Sequence, residues 1–337
     1  MKRHTYIIGE IGQAHEGSIT LAHSYIDALA RAGANAAKFQ VHIADAESSV
    51  YEDFRVKIPY QNGSRFDYWK KMEFTLAEWE ELKKHCETVG LDFLASPFSL
   101  AAVDLLNEIG VSGFKVGSGE VDNLPMFDKI SASGKPVMLS SGMSSWAELD
   151  HAVAFLQSRG VIVSLLQCTT AYPTKPQQWG LNVMKEMSER YHIPVGFSDH
   201  SGDIFAPLAA VALGARILEF HITFDKRIAN PDASSSLNVR QATTLIAGVR
   251  RIETALDFPV DKDKHGAFSR LKSLFGKSLA VNRDLRSGEK IQCHHLETKK
   301  PAGFGLPASR YREILGKTLT RDISQWEFLT EAHLRHA

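Results

Sequence analysis

Two histidines stand where buried strands would end. His200 lies in the segment GFSDHSGD (196–203), directly after an apolar run, and His221 follows 21 residues later in EFHITF (219–224). Two imidazoles that leave the remaining coordination positions to water and substrate suit a catalytic divalent metal, which polarises a carbonyl oxygen. A single histidine at such a position is more often a structural hydrogen-bonding group, so this interpretation depends on the pair.

Two lysines interrupt apolar runs in the same way. Lys38 lies in AAKFQV and Lys115 lies in GFKVGS. Burying an ammonium group without a partner costs several kcal/mol, so each lysine needs an anion. A carboxylate of the core is one candidate, and a substrate phosphate or carboxylate is the other. In the second case the hydroxyls of Ser118, Ser140 and Ser198 would complete the anion site.

These groups need elements that bring them together. Eight short apolar, β-rich runs alternate with helical patterns over about 255 residues, which predicts a (β/α)8 barrel, with a doubly wound open sheet as the alternative. The runs are TYIIGE, AAKFQV, DFLASP, GFKVGS, PVMLSS, VSLLQC, PVGFSD and ILEFHIT. A typical helix is LAEWEELKKHCETVG, which Thr75 and Glu78 open as a capping box and Gly90 ends. In a barrel, His200 and His221 would stand on adjacent strands, within reach of one ion.

The strand ends carry an unusually polar set of side chains for buried positions. In chain order these are Glu10, Gln13, His15, Glu16, Lys38, Gln40, Ser96, Lys115, Ser118, Glu120, Ser140, Ser141, Thr169, Thr170, Tyr172, Ser198, Asp199, His200 and His221. The connection 42–74 after the second strand is long and rich in charged and aromatic residues, and long loops at that face of a barrel usually serve a site. The sequence therefore predicts an active site at the carboxyl ends of the strands.

The pattern changes after Lys262. The segments 276–296 and 316–334 resemble each other, each with Gly-Lys-Ser/Thr-Leu, then Arg-Asp-Leu/Ile, then a closing His-Leu. This short repeat predicts a small β-rich module that is too small to carry much core alone. We expect a catalytic domain over 1–262, a linker over 263–275 and the small module over 276–337.

The composition excludes some classes of function. Lys and Arg together number 39, as do Asp and Glu, so the balance argues against nucleic acid or an anionic membrane as a partner. Cys86, Cys168 and Cys293 are odd in number and far apart, which fits a reducing compartment. The N-terminal segment MKRHTYIIGEIG has no long apolar region, so we expect a cytoplasmic protein without a membrane span.

Three alternative functions can be weighed on the residues alone. A Schiff-base aldolase is disfavoured because the sixth apolar run, VSLLQC, has no lysine. A metal-dependent pyruvate aldolase would not need the pair of buried lysines. A non-catalytic carbohydrate-binding protein would be expected to lose some of these costly buried groups, whereas Lys38, Lys115, His200 and His221 are all present.

The motifs also resemble those of a known family, the sialic acid or nonulosonic acid synthases. The matching segments are IIGEIGQAHEGS, AAKFQ, SPF, FKVGSGEVDNLPM, LSSGM, CTTAYPT, VGFSDHSGD, EFHITFDKRIANPDASSSL and the C-terminal module, in the family's order. The resemblance implies a (β/α)8 barrel followed by an antifreeze-like (SAF) domain of the β-clip type. It also implies condensation of phosphoenolpyruvate and water with an N-acetylmannosamine-like aldose, which yields a nonulosonic acid and phosphate.

The resemblance assigns roles to individual residues of this chain. It implies that His200 and His221 hold manganese, with magnesium or cobalt as alternatives, and that His221 and Lys115 act in catalysis. The substrate-binding residues that it implies are Lys38, Gln40, Lys115, Ser118, Ser140, Thr170, Tyr172, Ser198, Asp232 and Lys300. Glu16 corresponds to a sugar-binding carboxylate of the family and is a catalytic candidate, and Glu120 is the candidate acid/base for the attacking water. The family's members are dimers in which the SAF domain covers the partner's active site.

Two positions depart from the family's pattern. Many relatives have histidine where this chain has Ala233. Most relatives have arginine where this chain has Lys300, and in the family that arginine contacts the N-acetyl group across the dimer. Lysine is a compact point charge and lacks the planar fork of arginine. Both changes fall on the sugar side, so we expect retained chemistry with an altered acceptor, such as a 2,4-diacetamido-trideoxy hexose.

Overall fold

In the computed structural model the chain is described over residues 4–56, 63–228, 230–264 and 266–335. It divides into two compact units, one that ends at Pro259 and one that begins at Val260. The division falls three residues before the predicted end of the catalytic domain at 262. Part of the predicted linker 263–275 is helical, because a short helix spans Ser269–Phe275.

The first unit is a closed barrel of eight parallel strands. The strands are β1 (Tyr6–Gly12), β2 (Ala36–Val41), β3 (Asp92–Pro97), β4 (Phe114–Val116), β5 (Val137–Ser140), β6 (Val163–Gln167), β7 (Val195–Asp199) and β8 (Ile217–Thr223). Each strand pairs with the next, and β8 pairs with β1, with Glu10 opposite His221. Because the first and last barrel strands are hydrogen-bonded, the open-sheet alternative is wrong and the predicted barrel is confirmed. A two-residue strand, β9 (Leu237–Asn238), adds to the end of β8.

Helices follow the strands and cover the outside of the barrel. They are α1 (Ile19–Ala32), α2 (Ala44–Glu47), α3 (Arg65–Met72), α4 (Leu76–Thr88), α5 (Leu100–Ile109), α6 (Leu124–Ala132), α7 (Trp146–Ser158), α8 (Leu181–Tyr191), α9 (Phe205–Ala212) and α10 (Val239–Asp257). The predicted capping box is present in α4, where the Thr75 hydroxyl accepts from the Glu78 amide and the Glu78 carboxylate accepts from the Thr75 amide. No helix in the described ranges is long and apolar enough to cross a membrane.

Inside the barrel, a layer of apolar side chains is followed directly by a layer of polar side chains, two residues further along each strand. One buried cluster fills its lower part with Ile8, Ala36, Leu94, Leu166 and Ile217. Two residues further along the same strands come Glu10, Lys38, Ser96, Cys168 and Glu219, all buried. Since side chains two apart point to the same side of a strand, the chain places a polar layer directly above an apolar one.

The connection after β2 contains α2 and α3 and has its own small core. Tyr68, Trp69 and Met72 of α3 pack with Ala44 of α2, and Phe54 packs against them. Residues 57–62 of this connection lie outside the described ranges. The insertion is thus partly folded on its own, which gives its side chains fixed positions.

The second unit is small and rich in β-structure. Strands β10 (Ser278–Val281) and β11 (Leu296–Lys299) pair antiparallel, and isolated bridges join residues of the two repeats, such as Leu285 with Ile323. Helices α11 (Ser269–Phe275) and α12 (Tyr311–Ile314) are its only α-helices in the described ranges. Its core consists of ten buried apolar residues, among them Leu279, Ile291 and Leu329, so the predicted β-rich module is present.

Candidate active site

A cavity of about 170 Å³ opens at the carboxyl ends of the barrel strands. It is lined by Glu10, Lys38, Gln40, Ser96, Phe98, Lys115, Gly117, Ser118, Gly119, Ser140, Met143, Cys168, Thr170, Tyr172, Ser198, His200, Glu219 and His221. Larger clefts elsewhere on the unit lack this concentration of ionisable groups. The structure therefore brings most of the predicted site residues to one place.

The two predicted lysines are buried and paired with carboxylates. Lys38 contacts the Glu10 carboxylate, donates to Ser96 Oγ at 3.2 Å and lies 3.8 Å from Glu219 Oε1. Lys115 Nζ donates to Glu219 Oε1 at 3.1 Å. The core carboxylates Glu10 and Glu219 thus supply the anions that the sequence required. Burial alone would lower the pKa of Lys38, but Glu10 and Glu219 outweigh it and raise that pKa, so the ammonium stays charged.

Glu219 is a site residue that the sequence analysis missed. Burial would raise its pKa, but the charges of Lys115 and Lys38 lower it to about 2, so the group is a carboxylate. Its Oε1 also accepts from Ser198 Oγ at 3.1 Å, whereas its buried Oε2 has no hydrogen-bond partner among the described residues. The signal was present in the sequence, because Glu219 stands two residues before His221 and so faces the same side of β8.

The two predicted histidines face each other. His200 directly follows β7, His221 lies on β8, and their ring centroids are 5.2 Å apart. His200 Nδ1 is 2.9 Å from the Thr169 carbonyl oxygen, which makes Nδ1 the donor and leaves Nε2 with a free lone pair. Burial, and then the neighbouring His221, lower the pKa of His200 to about 3, so it is neutral and able to bind a metal.

The donor set fits a divalent cation with open positions. Asp232 Oδ2 lies 3.8 Å from His221 Nδ1, so a carboxylate stands beside the imidazole pair. Within the described ranges, no three His, Cys, Asp or Glu side chains form a ready-made metal cluster. Two imidazoles would leave the remaining coordination positions of a bound cation to water and substrate.

The hydroxyl residues surround the lysines. Thr170, Ser140, Ser118 and Ser198 all line the cavity. Ser118 Oγ accepts from the Gly142 amide at 3.1 Å and lies 3.1 Å from Cys168 Sγ, with which it shares a hydrogen bond. The aromatic residue Tyr172 lines the same cavity, with its ring 4.3 Å from that of His200.

Four predicted site residues do not line the cavity, although one of them, Asp232, lies beside His221. Glu16 accepts from Asn230 Nδ2 at 2.8 Å, and Glu120 accepts from Asn123 Nδ2 at 2.6 Å in the turn after β4, where burial raises the pKa of Glu120. Lys300 belongs to the second unit, with its Nζ 5.2 Å from the Phe275 ring centroid.

Arg55 is a second residue that the sequence analysis missed. It comes from the insertion after β2, and its Nη2 donates to Asp232 Oδ1 at 2.6 Å. Its guanidinium lies over the Tyr172 ring, 3.7 Å from the centroid. An arginine in a loop without periodicity gives no sequence signal for such a position.

The fold and the site define a (β/α)8-barrel protein with charged side chains converging at the carboxyl ends of its strands, followed by a small β-rich unit. The chain belongs to the NeuB family, whose sequence profile matches residues 25–260, and the SAF domain profile matches residues 276–335. Several of its relatives are named as synthases of legionaminic, pseudaminic or neuraminic acids.

The similarity extends over nearly the whole chain. The chain is 34% identical to the N,N'-diacetyllegionaminic acid synthase of Campylobacter jejuni, over 97% of this chain and 99% of that one. It is 33% identical to the human N-acetylneuraminate-9-phosphate synthase, over 97% and 93% of the two chains. Among solved structures, an N-acetylneuraminic acid synthetase from Leptospira borgpetersenii in complex with citrate is 29% identical, covers 80% of this chain and 92% of its own, and has a TM-score of 0.69.

Proposed function

We propose that the chain condenses phosphoenolpyruvate and water with an acetamido hexose, giving a nonulosonic acid and phosphate, as a transferase that forms a carbon–carbon bond. The observation that carries the proposal is the convergence of two buried ammonium groups and two facing imidazoles on one cavity. The relatives named as legionaminic and neuraminic acid synthases support it. The barrel supports it as well, because its strand ends are where such folds carry their chemistry.

Phosphoenolpyruvate would bind on the lysine side. An ammonium group has three donors, and Lys115 uses one of them, on Glu219, in the ligand-free protein. Lys38 and Lys115 can therefore donate to a phosphate or carboxylate oxygen, and the hydroxyls of Ser118, Ser140 and Ser198 would complete the site. Gln40, whose Nε2 donates to Glu10 Oε1 at 2.9 Å, fixes the carboxylate that contacts Lys38.

His200 and His221 are the residues that would hold a divalent metal, for which we propose manganese, with magnesium and cobalt as alternatives. A bound metal would polarise the aldehyde oxygen of the hexose. The Thr169 carbonyl fixes the His200 ring so that Nε2 remains free for this role.

The reaction balances as follows. C3 of phosphoenolpyruvate forms a bond to the aldehyde carbon, and the aldehyde oxygen becomes a hydroxyl. Water adds to the resulting cationic C2, and the hemiketal phosphate collapses to a ketone and inorganic phosphate. The lysines would hold the phosphate throughout. Glu120, whose pKa burial raises, is our candidate to accept the proton of the water, and because it does not line the cavity it would do so through an intervening water molecule. Glu16, Thr170 and Tyr172 would position the substrates.

For the acceptor we propose a modified hexose. The identities to the legionaminic and the neuraminic acid enzymes are nearly equal, at 34% and 33%, so overall similarity favours neither sugar. The departures at Ala233 and Lys300 both concern the sugar side. We therefore propose an acceptor such as a 2,4-diacetamido-trideoxy hexose.

We further propose a homodimer in which the SAF domain of one subunit covers the active site of the other, with Lys300 reaching the partner's acceptor. A cytoplasmic location remains our prediction, and the free thiols of Cys86, Cys168 and Cys293 agree with a reducing compartment.

A phosphate-release assay tests the proposed function. The purified protein receives phosphoenolpyruvate, Mn²⁺ and a panel of hexoses, and we expect one phosphate per nonulosonic acid, fastest with a diacetamido hexose. N-acetylmannosamine as clearly the best acceptor would contradict the altered acceptor. Product from pyruvate without phosphate release would instead identify a metal-dependent aldolase.

A further inference from the structure

Arg55 and Asp232 form an ion pair on the side of the cavity where His200 and His221 lie. Asp232 is buried and accepts from Arg55 Nη2, while its other oxygen lies 3.8 Å from His221 Nδ1. The Arg55 guanidinium stacks on Tyr172, a ring that lines the cavity. The insertion after β2 thereby contributes a cation next to the site where an aldehyde acceptor would be activated.

The Arg55 side chain is 38% exposed, and among the described residues only one of its donors has a protein partner. A guanidinium carries five N–H groups in a planar fork, and Asp232 is the only hydrogen-bond acceptor for Arg55 in the described part of the chain. Asp232 in turn keeps lone pairs that Arg55 does not use. The pair offers both donors and an acceptor side by side, without net charge.

The insertion after β2 carries one more unpartnered group, whose pKa responds to the charges of Arg55 and Asp232. The Tyr68 hydroxyl, from α3 of the same insertion, is buried and has no hydrogen-bond partner within the described ranges. Burial raises the pKa of Tyr68, and the carboxylate of Glu16 raises it further, so the phenol remains a donor. Buried polar groups normally find partners, so a free donor here points to a ligand that is polar at this end.

An acylamino group matches this arrangement. It has one carbonyl oxygen that accepts hydrogen bonds and one N–H that donates, in a fixed plane. A guanidinium held flat against a ring can donate to the carbonyl oxygen while the neighbouring carboxylate accepts from the N–H. A neutral sugar bearing such a group leaves the charge balance of the pair unchanged.

We propose that Arg55 determines acceptor specificity by binding the acyl oxygen of an acylamino substituent on the hexose. This inference rests on the proposed function, because it takes the hexose to be the molecule bound beside the histidines. It adds a residue of the insertion to the barrel residues that select the substrate.

The test is the variant Arg55→Lys, which keeps the charge and removes the planar fork. We expect kcat/KM for acetamido hexoses to fall about tenfold, with the KM for phosphoenolpyruvate unchanged, and the preference over the corresponding hydroxy hexoses to shrink. Arg227→Lys is the matched control, because Arg227 pairs with the exposed Asp225 by a similar contact. Thermal melting by circular dichroism confirms that both variants fold.

Binding without turnover separates this inference from the proposed function. Calorimetric titration with N-acetylmannosamine and with a 2,4-diacetamido-trideoxy hexose should show weaker binding to Arg55→Lys than to the wild type, whether or not phosphate is released. Equal binding of both proteins, an unchanged acceptor preference, or wild-type protein that binds neither sugar would overturn the role of Arg55. Wild-type protein that binds the sugars but releases no phosphate would overturn only the proposed function.

Discussion

At the residue scale, the hydrogen bonds around His42 fix the position of a proton. Gln40 Nε2 donates to Glu10, so Gln40 Oε1 must accept from His42 Nε2 at 3.2 Å. Because burial lowers the pKa of His42 to about 3, its ring is neutral and Nδ1 accepts, so the Glu47 carboxyl at 2.9 Å carries the proton. Burial, and then the charge of Glu52, raise the pKa of Glu47 to about 8, while burial and then Arg65 lower that of His42 to about 3.

This geometry predicts how stability depends on pH. In the unfolded chain Glu47 loses its proton near its ordinary pKa, whereas in the folded protein it keeps the proton up to about pH 8. The folded state thus holds one more proton at Glu47 between these values, so the contribution of Glu47 to stability falls as pH rises from about 5 to 8, by about 1.4 kcal/mol for each unit between the two pKa values. The lowered pKa of His42 has the opposite effect below pH 6.5, so the Glu47 contribution is read from the difference between variant and wild type. The variant Glu47→Gln keeps a donor for His42 and removes the titration.

Urea unfolding, followed by tryptophan fluorescence at pH 5, 6.5 and 8, measures this effect. The stability of Glu47→Gln relative to the wild type should increase as pH rises. Parallel curves for the two proteins across this range would show that Glu47 is ionised in the folded state.

Some of the site residues could be predicted from the sequence, and others could not. Lys38, Lys115, His200 and His221 could be predicted to converge, because burying an ionisable group inside an apolar run is costly and requires a partner. The sequence could not decide whether the lysines meet a carboxylate of the core, because the partner Glu219 lies 104 positions from Lys115. Arg55 was beyond prediction, since its contact depends on the path of a loop.

At the element scale, the eight strands could be predicted because most of them are short, continuous apolar runs. Strands covered on both faces do not need alternating apolar and polar residues. Glycine marks the turns between them, as at Gly110 and Gly214, which both adopt a positive φ. The polar layer also follows from strand periodicity, with Ile217, Glu219 and His221 facing the same way on β8. The boundary between the two units was less certain, because helix α11 lies where a linker was expected.

The insertion after β2 shows where pattern reasoning fails. The stack of Trp69 on His42, with ring centroids 3.6 Å apart, joins α3 to the end of β2. Trp69 Nε1 donates to the Glu52 carboxylate, so one segment links the surface to the cavity wall. Such contacts depend on side chains distant along an irregular path, and no period in the sequence encodes them.

At the scale of the whole molecule, the proposed exchange of SAF domains between subunits makes a prediction for mixed dimers. If each active site combines one barrel with the partner's SAF domain, a His200→Ala subunit and a Lys300→Ala subunit complement each other. One of the two sites in the mixed dimer then has an intact barrel and an intact Lys300. Co-expression with two affinity tags gives the mixed dimers for assay.

The expected rate of the mixed dimer is about half that of the wild-type dimer, above both parent variants. A mixed dimer whose rate is the mean of the parents would place Lys300 in the site of its own subunit. If the Lys300→Ala protein is as active as the wild type, Lys300 is not part of the active site.

The central claim is that His200 and His221 bind one cation while Lys38 and Lys115 bind the phosphate of phosphoenolpyruvate beside it. A crystal structure with Mn²⁺ and phosphoenolpyruvate, with anomalous data at the manganese edge, tests it most directly. We predict a single strong anomalous peak within coordination distance of both imidazoles, and the phosphate hydrogen-bonded to both ammonium groups. A peak away from the imidazoles, or lysines still bound only to Glu10 and Glu219 with the phosphate elsewhere, would contradict the claim.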